Sequence, residues 1–490
     1  MQPKNIVNPL EKQRDYPKFE LPILSRTASK LLWFFFLISL GLITYYQIEK
    51  PAWQLGEIFR INGFTLLIWS TVLFFSALLS TYSKNYLKGF KYHQRFTILS
   101  LGFTFSVIIF VMSNHIFPLL LSWFTTSVFM SQLIGINKDW REARQAGNYT
   151  LKFFLSGGIL LSLGVLILAY QINDYTLQGI IQKIDTVPSH WVLISALLII
   201  TSAIIQSAIY PFHRWLLSAM TAPTPASALM HAGFVNAAGI LLTLFSALLI
   251  ASDTLTLIFI IGGLTAILAQ FTKLLQVNVK QKLACSTIAQ MGFMIMQCGL
   301  GFFNAAIAHL ILHGFYKAYL FLSSGEEIDR STPKNPPKIK INALQAVAVL
   351  IFGLLGAALF SFLTGKTSLT DSSIFLTLIV AITVGQATYN IVKQSIFTYA
   401  EKLGISAILF IVGIVTYALT YNGITVLMSE MPMIDAPQSL SVLQITFGVI
   451  FLIGFFLMKL GIYRSTPWLY VKLLNLSQPH QKTLFSYKNK

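Results

Sequence analysis

Acid is scarce in this 490-residue chain: 17 Asp and Glu stand against 35 Lys and Arg, and no acid occurs between Gln94 and Asn137. Charge of either sign is scarce too. Only 11% of residues are charged and 55% are hydrophobic, whereas an ordinary soluble domain carries about 25% charged residues. A soluble globule is excluded. Cysteine is limited to Cys285 and Cys298, 13 residues apart in one expected helix and so about 20 Å apart along it. They are not expected to pair with each other, and no metal-ligand spacing is present. The full G-x-x-x-x-G-K-[ST] nucleotide loop is missing, which leaves a transmembrane ion gradient as the free-energy source the residues can address. The first thirty residues lack the short apolar core of a cleavable signal peptide, so insertion is expected to use the first transmembrane helix. Between apolar runs the longest polar connections are 136–151, 172–189, 324–341 and 422–439, too short for a soluble domain.

What remains is apolar helix. Windows of roughly 20 apolar residues give about fourteen candidate spans between residues 31 and 461. The expected organisation is a cytoplasmic N-terminal segment (1–30), a transmembrane bundle (31–461) and a basic cytoplasmic tail (462–490). The net charge of +18 is distributed by loop and does not point to nucleic acid. One set of alternate loops holds Lys84, Lys88, Lys91, Arg95, Lys138, Arg141 and Arg144, and the other keeps only Lys50, Arg60, Lys183 and Lys366. Basic loops stay in the cytoplasm, which places both termini inside. The Pro- and charge-rich stretch from Glu326 to Lys338 reads as a cytoplasmic linker between two halves of the bundle.

Two features break the apolar monotony. His309, His313 and Lys317 lie one helical turn apart, covering about 12 Å of depth on one helix face. Ionisable groups cost several kcal/mol to place in lipid, so such a row is by default a path for charge. The plainer alternative is a helix face on which each side chain is satisfied separately by a backbone carbonyl. The second feature is the stretch around Pro211, Pro223 and Pro225, where prolines remove backbone donors and disfavour helix before them. Non-helical backbone at membrane depth is tolerated where it is buried in protein or lines a watery cavity. A cytoplasmic hairpin is the alternative, and the apolar and aromatic residues nearby favour a packed segment.

These residues resemble the antiporter-like membrane subunits of respiratory complex I and of Mrp antiporters. Residues 215–232 (WLLSAMTAPTPASALMHA) match that superfamily's W-L-x-x-A-M-x-x-P-T-P-V-S-A-L-x-H-A signature, and 283–292 (LACSTIAQMG) is similar to its L-A-Y-S-T-x-x-Q-x-G. Residues 309–325 look like its H-x-x-x-H-x-x-x-K-A-x-x-F-L-x-S-G helix. Pro211, Phe212, His213 and Trp215, the run 231–239 (HAGFVNAAG) and the ending FLSSG look more like the DabB branch, membrane subunits of two-component inorganic carbon accumulation systems. The resemblance implies an all-α, antiporter-like inverted-repeat bundle with a broken helix. It also implies a bacterial inner-membrane location and a proton path through His231, Lys280, His309, His313, Lys317 and Lys366, the last near a second broken helix. The implied partner is a DabA-like zinc subunit with a carbonic-anhydrase-like site, the other neighbour being membrane lipid. No cofactor is expected in this chain.

Two departures qualify the resemblance. Complex I subunits carry a buried lysine where this chain has Gln206, and their glutamate on an early helix has no counterpart. The expected membrane interior therefore holds bases without carboxylates, and Lys317 is suited to alternate between charged and neutral forms beside His313, an imidazole of ordinary pKa ~6.5. The sequence-level reading is an energy-coupling subunit that conducts H+ or Na+ and does no chemistry itself. The alternatives are a proton-pumping subunit of an NADH- or ferredoxin:quinone oxidoreductase, a cation/proton antiporter subunit, or a membrane scaffold, which leaves the buried row unexplained.

Overall fold

The computed structural model describes residues 21–51, 53–324, 343–368, 370–392, 399–460 and 466–483. The linker expected at 324–341, most of the N-terminal segment and the end of the basic tail lie outside the described residues, apart from Ser324. The chain is helical almost throughout, as continuous apolar runs must be where no water is present to satisfy backbone groups.

The first helices are α1 (Ile23–Glu49), α2 (Gly63–Tyr86), α3 (His93–Met112), α4 (Ile116–Ile134), α5 (Arg141–Ile172), the short α6 (Leu177–Gln182) and α7 (Ser189–Gln206). Short pieces follow: α8 (Arg214–Ser218), α9 (Thr224–Ala232), α10 (Ala237–Leu244) and α11 (Ser246–Ala251). Then come α12 (Leu255–Leu274), α13 (Val279–Gly299), α14 (Phe303–Ser323), α15 (Ala343–Thr364), α16 (Ser373–Val392), α17 (Tyr399–Leu427), α18 (Val442–Leu460) and α19 (Pro467–Leu476). Among the described residues ten helices are long and apolar enough to cross a membrane. The protein is a multi-pass membrane protein.

Connections sort into two layers. On one side the loop after α3 meets the strand Phe59–Ile61, the α5–α6 loop pairs with His115, and residue 435 pairs with Phe302. This side carries Glu57, Asp174, Asp371, Glu430 and Asp435 and is called the acidic side. The other, basic side is joined by Lys91 to Asp139 at 3.2 Å and by Lys280 Nζ, which donates to the Ala222 carbonyl at 2.9 Å.

Close helix contact rests on small residues, as it does where lipid gives no hydrophobic drive between helices. At the α12–α13 crossing a Cβ on Gly262 would stand 2.6 Å from the Gly292 carbonyl oxygen, so the two backbones touch there and nothing larger fits.

Three expectations need adjusting. The polar connection 136–151 is shortened because α5 begins at Arg141 and runs for 32 residues, lifting its charged first turn clear of the apolar zone. The apolar run 226–250 is interrupted into α9, α10 and α11 rather than one continuous helix, although Thr224–Leu244 is still long and apolar enough to cross a membrane. The connection 422–439 loses its beginning to α17, which runs to Leu427.

Candidate functional site

The first break in the bundle lies where the prolines place it. Helix α7 stops at Gln206, and Pro211 stands in the non-helical link to α8. Pro223 precedes α9 and Pro225 occupies its first turn, where a missing N–H breaks no helical bond. Trp215 Nε1 donates to the Ile205 carbonyl at 2.8 Å and fastens α8 to the end of α7. A second break, after Ala232, has no proline. Gly233 adopts φ −125° and ψ −66°, and a single 3-10 turn follows at Phe234–Asn236. It is held by Asn236 Nδ2, which donates to the Ala232 carbonyl at 2.8 Å, and by Ser207 Oγ, which donates to the Val235 carbonyl.

His231 is in the last turn of α9, fully buried, its ring stacked on Phe321 with centroids 4.5 Å apart. Helix α14 approaches α9 closely because Gly314 faces it: a Cβ there would lie 2.8 Å from the Phe75 ring and 3.3 Å from the Ala232 carbonyl oxygen. The expected row on α14 is inside the protein. His313 is 5% exposed and Lys317 is 0% exposed. Lys317 Nζ donates to the Leu283 carbonyl of α13 at 3.1 Å, and the rings of His309 and His313 are 6.1 Å apart. His309 Nδ1 lies 3.2 Å from Gln297 Oε1. His231 meets α14 at Phe321, one turn beyond Lys317, and His313 and His309 precede Lys317 by one and two turns, so these four groups form one cluster.

Beside it a cavity of about 500 Å³ opens between α13, α14, α16 and α17, lined by Gln290, Gln297, His309, His313, Tyr417 and apolar side chains such as Phe360 and Val380. Neither ring nitrogen of His231 or of His313 has a hydrogen-bond partner among the described residues. Protonatable groups spaced by a turn, with room for water beside them, can hand a proton along the helix.

Lys280 and Lys366 are placed differently. Lys280, in the first turn of α13, ties that helix to the broken segment, one turn from the Leu283 carbonyl that holds Lys317. Lys366 is not in the cluster, and it lies in no broken helix. Gly365, at φ +70°, ends α15, and the electrostatic pull of Asp435 draws Lys366 Nζ to 2.5 and 2.7 Å from its carboxylate oxygens on the acidic side. The expectation of bases without carboxylates fits the cluster but not Lys366. Gln206 is 1% exposed, with neither amide atom partnered among the described residues.

Sequence reasoning missed Gln290, Gln297 and Tyr417. The signal was available for the first two: glutamines seven residues apart fall on one face of an apolar helix.

A broken helix beside a buried His/His/Lys row, in a bundle of membrane spans, defines an antiporter-like membrane subunit. The chain belongs to the family described as NADH:quinone oxidoreductase/Mrp antiporter, TM, whose pattern matches residues 113–362. It is 29% identical over 418 residues to the probable inorganic carbon transporter subunit DabB of Hydrogenovibrio crunogenus, covering 83% of this chain and 78% of that one. To the protein of the same name in Bacillus anthracis it is 32% identical over 350 residues, covering 70% and 66%. The fold is similar to a chain in the structure of the Mrp complex from Dietzia sp. DQ12-45-1b, with TM-score 0.62, 20% identity, and coverage of 93% of this chain and 56% of that one.

Proposed function

We propose that this chain is the ion-conducting, energy-coupling membrane subunit of an inorganic carbon accumulation complex. The observation that carries the reading is the cluster of buried His231, His313 and Lys317 with half-buried His309, in a chain whose relatives include proteins named as inorganic carbon transporter subunits. The ion moves through the row His309, His313 and Lys317 of this cluster, from the acidic side, taken as extracytoplasmic, to the basic side, taken as cytoplasmic. On this reading both termini are inside, in a bacterial inner membrane, with cytoplasmic segments 1–30 and 462–490 flanking the bundle at 31–461.

Carbon chemistry is assigned to a partner, a DabA-like zinc subunit with a carbonic-anhydrase-like site. Among the described residues no group of three His, Cys, Asp or Glu could hold a metal ion. The partner hydrates CO2, and ion flow through this chain drives that step in one direction. Lys317 is the proton-carrying switch, His313 and His309 relay to it, and His231 senses its charge from the broken helix.

The test is growth rescue of a carbonic-anhydrase-deficient cell by this chain and its partner subunit. Uptake should collapse when an uncoupler dissipates the proton gradient and survive ATP depletion while that gradient is held; a sodium ionophore tells the ions apart. Accumulation that persists with both gradients abolished would remove the chain from the energising role. A redox-driven pump fits less well, because Gln206 and the acid-free early helices leave its usual first half-channel without the lysine and glutamate that charge it.

A further inference from the structure

The cluster reaches the basic side through Lys317 and the neighbouring Lys280, but His309 lies in the second turn of α14 and needs an opening on the acidic side. The segment after α17 supplies a candidate. It is laced across the acidic-side ends of several helices: the Ile434 carbonyl accepts the N–H groups of Phe303 and Asn304 at 3.0 and 3.2 Å, and the Ala436 N–H donates to Gly301 O at 3.0 Å. Ser246 Oγ donates to the Pro432 carbonyl at 2.7 Å, and the Ser372 N–H donates to Gln438 O at 2.9 Å. Asp435 is thereby fixed at the start of α14, paired to Lys366, whose side chain is only 11% exposed and whose Nζ stands 4.9 Å from the centre of the Phe302 ring.

Polar side chains continue inward from that point. Asn304, fully buried, donates to the Tyr421 hydroxyl and to Thr425 Oγ1, each at 3.0 Å. Tyr417 is one turn deeper on the same face of α17, about 6 Å along the helix. Its hydroxyl-bearing ring lines the cavity shared by Gln297, His309 and His313. Gln297 holds His309, and the row then runs to Lys317 and the Leu283 carbonyl.

We propose that the ion route opens on the extracytoplasmic side at the Asp435–Lys366 pair and reaches His309 past the hydroxyls of Tyr421 and Tyr417. This rests on the proton-conducting reading above. Asp435 takes a proton from outside water and becomes neutral, which releases its hold on Lys366. The proton then passes through cavity water and the two hydroxyls, each accepting one proton as it gives up its own, so that no charge is left behind. His309 takes it up, and Lys317 delivers it to the other side. Asn304 and Gln297 are positioning residues that aim Tyr421 and His309.

The rival opening is the acidic-side cavity of about 230 Å³ beside Arg60 and Glu430, lined also by Asn62, Asn114 and Gln178. Its remaining lining includes Phe64, Val111 and Leu244, and the Thr65 hydroxyl there is occupied by Asn62 and the Val111 carbonyl.

The experiment measures proton flux with a pH-sensitive dye in proteoliposomes holding the full chain with its partner subunit. Tyr421→Phe and Tyr417→Phe keep the rings and remove only the hydroxyls. Each should lower flux about a hundredfold or more, the range lost with positioned proton-transfer groups. Asp435→Asn should do the same and Asp435→Glu should recover most of it, while Glu430→Gln should leave flux within about twofold. The Tyr→Phe pair decides the matter if Asp435→Asn fails to insert. Wild-type flux in both Tyr variants, or loss in Glu430→Gln with Asp435→Asn intact, overturns this route. Lys317→Ala is run alongside: if it keeps full flux, the conducting reading itself falls, whatever the other variants show.

Discussion

The broken segment and the cavity beside α14 are both rich in buried polar groups, yet they are built in opposite ways. In the span Thr224–Leu244, 89% of the central residues are buried, against 22% in Gly404–Leu427. Around the break every surface is occupied: His231 lies flat on Phe321, Trp215 is 0% exposed, and Gln206 is enclosed without a partner among the described residues. Beside α14, Gln290, Gln297, His309, His313 and Tyr417 face a space of about 500 Å³, Gln297 holds His309, and Lys317 follows one turn beyond His313, bound to the Leu283 carbonyl. A buried polar side chain is therefore not yet a path. A path needs room for water and a successor within reach of each group, and only the second region combines the two.

The largest effect expected from that contrast is at Lys317. Lys317→Ala should abolish flux and growth rescue while leaving membrane expression intact, because it removes the proton carrier from the end of an open route. His313→Ala should act the same way. Full rescue by both variants would erase the distinction between the two regions.

Gln206→Lys approaches the contrast from the other side. If the break is packed rather than conducting, a lysine there gains no function and leaves an unpaired charge in a tight site, at a cost of about 3–5 kcal/mol. Thermal unfolding of the detergent-solubilised protein should shift down and proton flux should not rise. A clear gain in flux would restore a working first half-channel.

The spans were legible because a run of apolar residues leaves helix as the only means of satisfying its backbone; the row His309, His313 and Lys317 lies on the single helix α14, as its spacing required. The breaks were half legible. Pro211, Pro223 and Pro225 announce the link between α7 and α9, but the interruption at Gly233 lies in an apolar run without proline, and it depends on Ser207 and Asn236 reaching across to hold the turn. The row His309, His313 and Lys317 was visible from spacing alone. The pairing of Lys366 with Asp435 was not, since 69 residues separate the two and nothing local links them. Gln290 and Gln297 show why the cavity stayed half hidden: their shared helix face is visible in the sequence, but the histidine from the next helix that meets it is not.

A smaller effect tests how tightly the break is fastened. Trp215→Phe keeps the ring among Phe154 and Phe234 but deletes the indole N–H that satisfies the Ile205 carbonyl at 2.8 Å. The Ala208 N–H still donates to that carbonyl at 3.3 Å, so the loss is that of one hydrogen bond, about 0.5–1.5 kcal/mol. Stability should fall by that amount with flux reduced no further than the loss of folded protein explains. A selective loss of flux at unchanged stability would mean that the break takes part in conduction after all.

The smallest effect belongs to the acidic-side loop after α5, which neither region uses. The Thr176 N–H donates to Asp174 Oδ1 at 3.0 Å, the Thr176 hydroxyl to the same oxygen at 2.8 Å, and Lys183 Nζ to Oδ2 at 3.1 Å. Led by the Thr176 backbone bond, these contacts hold the Asp174 carboxyl below its usual range against a smaller opposing effect of burial. A group whose pKa is lowered by folding stabilises the fold above its unfolded value, ~3.9, and loses that contribution as pH falls through the folded value. The loop 173–188 should therefore exchange its amide protons faster as pH drops below about 4, once intrinsic exchange is corrected for, by an amount worth under about 1 kcal/mol for a partly exposed pair. Asp174→Asn keeps an oxygen to accept from Thr176 and has nothing to titrate, so its exchange profile should be flat through the same range. A profile that still bends in the variant would assign the loop's acid sensitivity to another group.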